Sequence, residues 1–370
     1  MVEGVFRNIV YGASTALSIT VMNAQADSVR LLEPRGTYAV GTVTYEWQDF
    51  SRPAEYSAYP EDRRTVVAQF WYPANPAPDD QQASYNPISE DYRKVSTNSF
   101  LRSGFHTSVE NANLILFAPG RGTERFLYTT LAEDLASHGF VVVSVDMPSI
   151  GYVIFGDGLI VKPDSGFRPP PGMMGGPYEK VDQFFELPTA MGTADLDLVY
   201  EKLIDLNRSD PDQRFTGRLG LDTVGIFGHS LGGRIAGRFT TDHDFVKAYA
   251  AMEGIPPRDI RYGGKIGIPT LMICSKGTLP YAIENYKSYL DNSPVSTYFA
   301  VLDDFGHNSV TDNPFIYPDR FNYPIDPEEG LQISRKLLTA YFLGQLKGRG
   351  DLQEDLKDIE QLNISTHGKN

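Results

Sequence analysis

The residues best placed to do chemistry are Gly228-His229-Ser230-Leu231-Gly232-Gly233, a G-x-S-x-G pattern. The apolar run Val224-Gly225-Ile226-Phe227 precedes it, and an apolar-periodic stretch over 231–240 follows. Strand, sharp turn and helix is the context in which a serine is lifted clear of a sheet, because small flanking residues let the backbone pass closely. A serine hydroxyl there needs a base, and an N–H at the start of the following helix faces any negative charge that develops. The Leu231 N–H is the first oxyanion donor this predicts. Gly120-Arg121-Gly122, after the apolar run 114–117, offers a second turn able to aim an N–H inward, that of Arg121. The Arg121 side chain is expected to be solvated or paired with Glu124.

Six histidines are candidates for the base. His106 and His138 precede the elbow, and His229 adjoins it and is expected to face elsewhere. His243 follows the elbow helix too closely, and His367 lies in the polar tail. His307, in Asp304-Phe305-Gly306-His307-Asn308, comes directly after the final predicted strand, where a loop can hang over the serine. Cys274, the single cysteine, sits within an apolar run and reads as a buried structural thiol.

The elements that must position these groups follow an αβ rhythm. Residues 36–47 and 65–72 alternate as strands, and 73–100, rich in Pro, Asp, Asn and Ser, is expected to be a long surface loop. Short buried strands are predicted at 114–117, 140–145, 224–227, 246–252, 268–274 and 296–302. Helical patterns lie at 124–138, around Leu196 to Ile204, and at 231–240, 281–290 and 331–346. This is the fold class α/β, with a mostly parallel sheet covered on both faces. A single domain over 27–348 is expected, with an irregular Gly- and Pro-rich insertion at about 148–191 and a polar tail over 349–370. Tyr152, Phe155, Met173, Met174, Phe184 and Phe185 in the insertion fit an acyl pocket and a small satellite core equally well.

The stretch from Phe117 to Tyr128 is similar to the oxyanion turn of the secreted platelet-activating-factor acetylhydrolases of the α/β-hydrolase superfamily, and Leu135-Ala136-Ser137-His138-Gly139-Phe140 resembles that family's "DLASHGF" segment. Phe70-Trp71-Tyr72-Pro73 and the elbow itself also match. The likeness runs patchily from about Gly36 to Leu346. It implies the α/β-hydrolase fold and a serine esterase. It also implies a triad acid after the strand that follows the elbow helix, where Glu253 stands. Pro119 replaces the family's usual histidine and Glu253 its aspartate, which points to a distant microbial relative. The residues themselves agree on Glu253: Ser275-Lys276-Gly277-Thr278 holds no carboxylate, and Asp303 and Asp304 lie close in sequence to His307, with Asp304 left as the alternative.

The expected function is metal-independent hydrolysis of a short-acyl ester, small-molecule or lipid, through an acyl-enzyme on Ser230, His307 and Glu253. An amidase or peptidase on the same scaffold is the runner-up, and a catalytically silent ligand-binding homologue is the reading from another class. No cofactor is called for: H-E-x-x-H, paired cysteines and a strand-linked G-x-G-x-x-G are all missing from the sequence. The 370 residues carry 33 Lys and Arg against 47 Asp and Glu, a net charge of −14, which argues against nucleic-acid partners and disfavours strongly anionic substrates. No run of 18 apolar residues predicts a membrane span. Arg7, an apolar stretch over 9–22 and Ala24-Gln25-Ala26 read as a signal peptide over 1–26, hence a secreted or periplasmic protein, with a cytoplasmic one as the alternative.

Overall fold

Runs of buried β-branched and aromatic residues can be satisfied only where both faces of a sheet are covered, and that requirement organises this chain. A computed structural model describes residues 28–86, 92, 94–176 and 178–368; the expected signal peptide lies outside them. Eight strands form the body of one sheet: β1 (Ala39–Pro53), β2 (Arg63–Asn75), β3 (Ala112–Ala118), β4 (Val141–Asp146), β5 (Leu219–His229), β6 (Val246–Met252), β7 (Thr270–Ser275) and β8 (Thr297–Leu302). Their spatial order is β1-β2-β4-β3-β5-β6-β7-β8. β1 and β2 are antiparallel, β2 pairs antiparallel with β4, and from β4 to β8 every neighbour is parallel.

Successive residues of each central strand enter different cores. Leu114, Leu116, Val143 and Ile226 pack on one side, with α3 (Glu186–Arg208), α4 (Leu231–Asp242) and α5 (Leu279–Asn292). Ile115, Phe117, Val142 and Phe227 pack on the other with α1 (Thr129–Ser137) and α6 (Pro327–Lys347). The period of two in the strand puts alternate side chains on opposite faces. β5, which carries the elbow, therefore lies in the middle of the sheet with both faces buried.

Two sequence expectations need correction. The segment 73–100 is not a bare loop: Gln82–Ser84 and Val95–Leu101 are strands, and the second joins β1 in parallel over Val40 to Thr42. Its alternation is hidden because two of its three inward residues are polar: Val95, Thr97 and Ser99 are the buried ones. Ser99 and Asn98 are held there by the buried Glu133 carboxylate of α1. The segment 349–370 is likewise more than a tail. Leu362–His367 adds an antiparallel strand to β8 and covers the sheet edge, a common protection against stray pairing.

The insertion contains a two-stranded hairpin (Val153–Ile154 with Ile160–Val161) and the short helix α2 (Tyr178–Phe184) before α3 begins at Glu186. Phe155 joins Val67, Val153 and Val161 in a satellite cluster, while Met174 and Phe185 line the cavity described below. α2 is tied to the body through Asp182, which accepts from Arg234 of α4 at 2.6 Å and from Arg261 at 2.8 and 3.1 Å. Among the described residues, no helix is long and apolar enough to cross a membrane.

Candidate active site

β5 ends at His229 and α4 starts at Leu231, which leaves Ser230 alone to reverse the chain. Its backbone sits at φ 55° and ψ −121°, a region that costs a non-glycine residue about 1–3 kcal/mol and is tolerated where the surroundings over-determine it. They do here. The Ser230 N–H donates to the Met252 carbonyl at 2.8 Å, and the Gly233 N–H to Ser230 O at 3.0 Å. A Cβ on Gly228 would stand 2.2 Å from Gly232 O, and one on Gly232 would stand 1.9 Å from Ala118 O. The two motif glycines are therefore required by close backbone packing.

Glu253 follows β6 as Ser230 follows β5. It too has positive φ, 54°, and its N–H donates to Ile273 O at 2.8 Å. A Cβ on Gly254 would lie 2.5 Å from Ser230 O, so only glycine lets this turn pack against the elbow. The Glu253 side chain is 2% exposed; Oε1 accepts the Ser275 N–H and Oε2 lies 3.3 Å from His307 Nδ1. One carboxylate oxygen is fixed by the backbone and the other is presented to the imidazole. Asp303 is taken up by Lys276 at 3.2 Å.

His307 lies in the loop after β8, 42% exposed, and lines the same cavity as Ser230. The loop is pinned by Gly306, whose N–H donates to Ser309 Oγ at 3.0 Å, and by Tyr323, packed where a Cβ on Gly306 would stand. No hydrogen bond joins Ser230 Oγ to His307 among the described contacts; such bonds commonly close only when substrate is bound.

His229, expected to face away, has a part in the site that no sequence signal reveals. Its Nε2 is 2.9 Å from the His307 carbonyl, which can only accept, so Nε2 carries the proton. Nδ1 then accepts from the Tyr128 hydroxyl at 2.8 Å, and the Tyr128 oxygen accepts the Gly120 N–H at 3.2 Å. Burial, with His307 nearby, holds the His229 imidazole well below its usual range and so neutral. A buried chain of three hydrogen bonds thus links the glycine turn after β3 to the backbone of His307.

In that turn, Gly122 has φ 73° and donates its N–H to Ile150 O at 2.9 Å, while Thr123 Oγ1 donates to Gly120 O at 2.7 Å. Of the two settings expected for the Arg121 side chain, the ion pair with Glu124 is absent among the described residues. Arg125 instead pairs with Asp146, and burial together with the Asp146 charge pushes Glu124 up to about 8. Arg121 lines the cavity.

The cavity has a volume of about 320 Å³ and is walled by Val181, Phe185, Leu231 and Ile255 around Ser230 and His307. That is the small end of the range for small-molecule sites. A larger groove of about 1230 Å³ runs between α2, α3 and α4, lined by Glu186, Asp197 and Arg238, and does not contain Ser230. Cys274 is buried at the end of β7, its thiol pushed up by burial and by the Glu253 charge. Among the described residues, no grouping of three His, Cys, Asp or Glu could hold a metal ion.

Residues 24–148 match the family model described as platelet-activating factor acetylhydrolase, isoform II. A curated relative from Arthroderma benhamiae, described as "Probable 1-alkyl-2-acetylglycerophosphocholine esterase", is 25% identical over 168 residues, 36% of this chain. The match spans only 42% of that relative's length. A solved structure, a ferulic acid esterase from Streptomyces cinnamoneus, superposes with a TM-score of 0.73 at 21% identity, covering 91% of this chain and 99% of that one. The chain thus has the α/β-hydrolase fold, and over residues 24–148 it resembles the isoform II platelet-activating-factor acetylhydrolases.

Proposed function

We propose that the protein is a serine hydrolase of short carboxylic esters, with Ser230 as nucleophile, His307 as base and Glu253 as the acid that orients it. The single observation that carries this is the strained Ser230 turn sharing a cavity with His307, whose Nδ1 faces a buried, backbone-anchored carboxylate at 3.3 Å. His307 Nε2 takes the hydroxyl proton as Ser230 Oγ bonds to the ester carbonyl carbon. The Leu231 and Arg121 N–H groups stabilise the resulting oxyanion, an effect on the order of 3 kcal/mol per donor. The imidazolium, its Nδ1–H directed at Glu253, returns the proton to the departing alcohol. Water then attacks the acyl-enzyme with His307 again as base, releasing the acid and free Ser230.

The choice of esters over amides rests on the descriptions of the two relatives named above, an alkylacetylglycerophosphocholine esterase and a ferulic acid esterase, and a phospholipid or a ferulic acid ester is within the class they suggest. The N-terminal pattern supports export, with a mature chain starting near Asp27. The test is a fluorophosphonate probe with a panel of p-nitrophenyl esters and matched anilides. Labelling at Ser230, lost in Ser230→Ala together with about 10⁴–10⁶ in kcat, is the expected result. A folded native protein that neither labels nor turns over any ester, yet binds ligands saturably, would mean a silent binding homologue, and anilide turnover would mean an amidase.

A further inference from the structure

The cavity beside Ser230 carries more positive than negative charge, in a chain whose net charge is −14. Arg234 and Arg261 share one carboxylate, Asp182, and Glu253 is turned toward His307. Arg121 is a third arginine in the lining. Among the described residues its side chain makes no ion pair or hydrogen bond, and the charge that bears on it is another cation, Arg168, which is itself unpaired and exposed. Glu124, three residues on, does not neutralise it. A half-buried guanidinium without a counter-ion is costly unless something supplies one, and a planar fork of N–H donors is suited to a carboxylate.

We propose that Arg121 recognises a carboxylate on the substrate, so that the preferred esters are short and bear one negative charge close to the scissile carbonyl. This rests on the esterase reading above. The backbone of Arg121 and its side chain would then serve one substrate from one residue. With its N–H on the oxyanion and its guanidinium on the carboxylate, the length of one side chain limits the separation of the two groups to a few bonds. The small volume of the cavity sets the same limit. The acidic surface that repels anions in general leaves this cavity as the place where one is accepted.

The measurement is kcat/KM for mono-p-nitrophenyl glutarate against p-nitrophenyl valerate, acyl groups of equal chain length with and without the terminal carboxylate. A third arm, 4-carboxyphenyl valerate, places the charge on the leaving group. An acetyl ester bearing a phosphodiester tests whether any anion suffices. Wild-type protein is expected to favour a carboxylate-bearing ester by about tenfold or more, falling at high salt as partly exposed charges are screened. Arg121→Gln should collapse that ratio, and Arg121→Lys should recover part of it. The ratio is the readout, since Arg121 also offers its N–H to the oxyanion and a general loss of activity leaves the ratio unmoved. Neutral and charged esters turned over equally by the wild type, or a ratio unchanged in Arg121→Gln, would overturn the proposal while leaving the esterase reading intact. A preference for the phosphodiester ester alone would overturn the carboxylate assignment. Failure on every ester would instead sink the esterase reading.

Discussion

Glu253→Gln replaces one oxygen by an NH₂ group and changes nothing else in shape, so its effect can be worked from the two contacts that the carboxylate makes. The Ser275 N–H can only donate, which obliges the glutamine carbonyl to stay on it. The NH₂ group must then face His307 Nδ1, where Glu253 Oε2 stands at 3.3 Å. Two donors cannot share that contact, so Nδ1 becomes the acceptor and the imidazole proton moves to Nε2. That is the nitrogen which has to accept the Ser230 proton. A wrong tautomer of this kind, together with loss of the charge opposite the imidazolium, lowers kcat by on the order of 10²–10⁴, about 3–5 kcal/mol of transition-state stabilisation. KM should change little, since the two Glu253 oxygens are committed to Ser275 and His307. Glu253→Asp, one methylene shorter, cannot hold both Ser275 and His307 and should be impaired as well. Asp304→Asn is the control: Asp304 stands at φ 63°, where asparagine is tolerated, and kcat should stay within about threefold. The assay is kcat and KM on p-nitrophenyl acetate with the rate of fluorophosphonate labelling beside it. Glu253→Gln retaining kcat within tenfold, or Asp304→Asn being the crippled variant, would refute the assignment.

Tyr128→Phe removes the hydroxyl between the Gly120 N–H and His229 Nδ1, and should cost about 1–3 kcal/mol of stability for the two groups left unpaired. Because the chain ends on the His307 backbone, kcat should also fall by about tenfold with a shifted pH profile; a lowered Tm with unchanged kcat would make the chain purely structural. Asp312 is fully buried, accepts from Tyr85 at 3.0 Å, and burial pushes its carboxyl up to about 7. The folded chain then holds a proton that the unfolded chain releases near 4, so stability should fall as pH rises from about 4 to 7 and level off above. Asp312→Asn should flatten this contribution and gain up to ~4 kcal/mol at pH 8 relative to wild type, read by denaturant titration across pH; a slope unchanged in the variant would show that Asp312 ionises normally.

The parts of this site legible in the sequence are those in which local backbone chemistry leaves one solution. Gly228, Ser230 and Gly232 between an apolar strand and a helix can be read because a tight turn of that shape excludes larger residues at both glycines. β6 is legible at its observed bounds, Val246–Met252, since a strand buried on both faces is one continuous apolar run. Glu253 can be singled out because it ends that run with Gly254 behind it. What the sequence conceals depends on contacts between distant segments. Val95–Leu101 has the composition of a loop because its polar residues find partners on α1, Glu133 above all, 34 and 35 positions away. Leu362–His367 has the composition of a tail because edge strands carry a half-exposed, polar pattern. His229 has the same neighbours in sequence whether it faces solvent or the site. Only the packing of Tyr128 on one side and the His307 loop on the other makes it a bridge. For Arg121 the sequence offers solvent or Glu124, since a charge three residues away is the nearest partner along the chain. In three dimensions Asp146 lies beside Glu124 and pairs with Arg125, and Arg121 is left facing the cavity. Covalent neighbours set turns and strands, but which charges are neutralised is decided by which elements the fold brings together, because desolvation and Coulomb energy depend on distance through space.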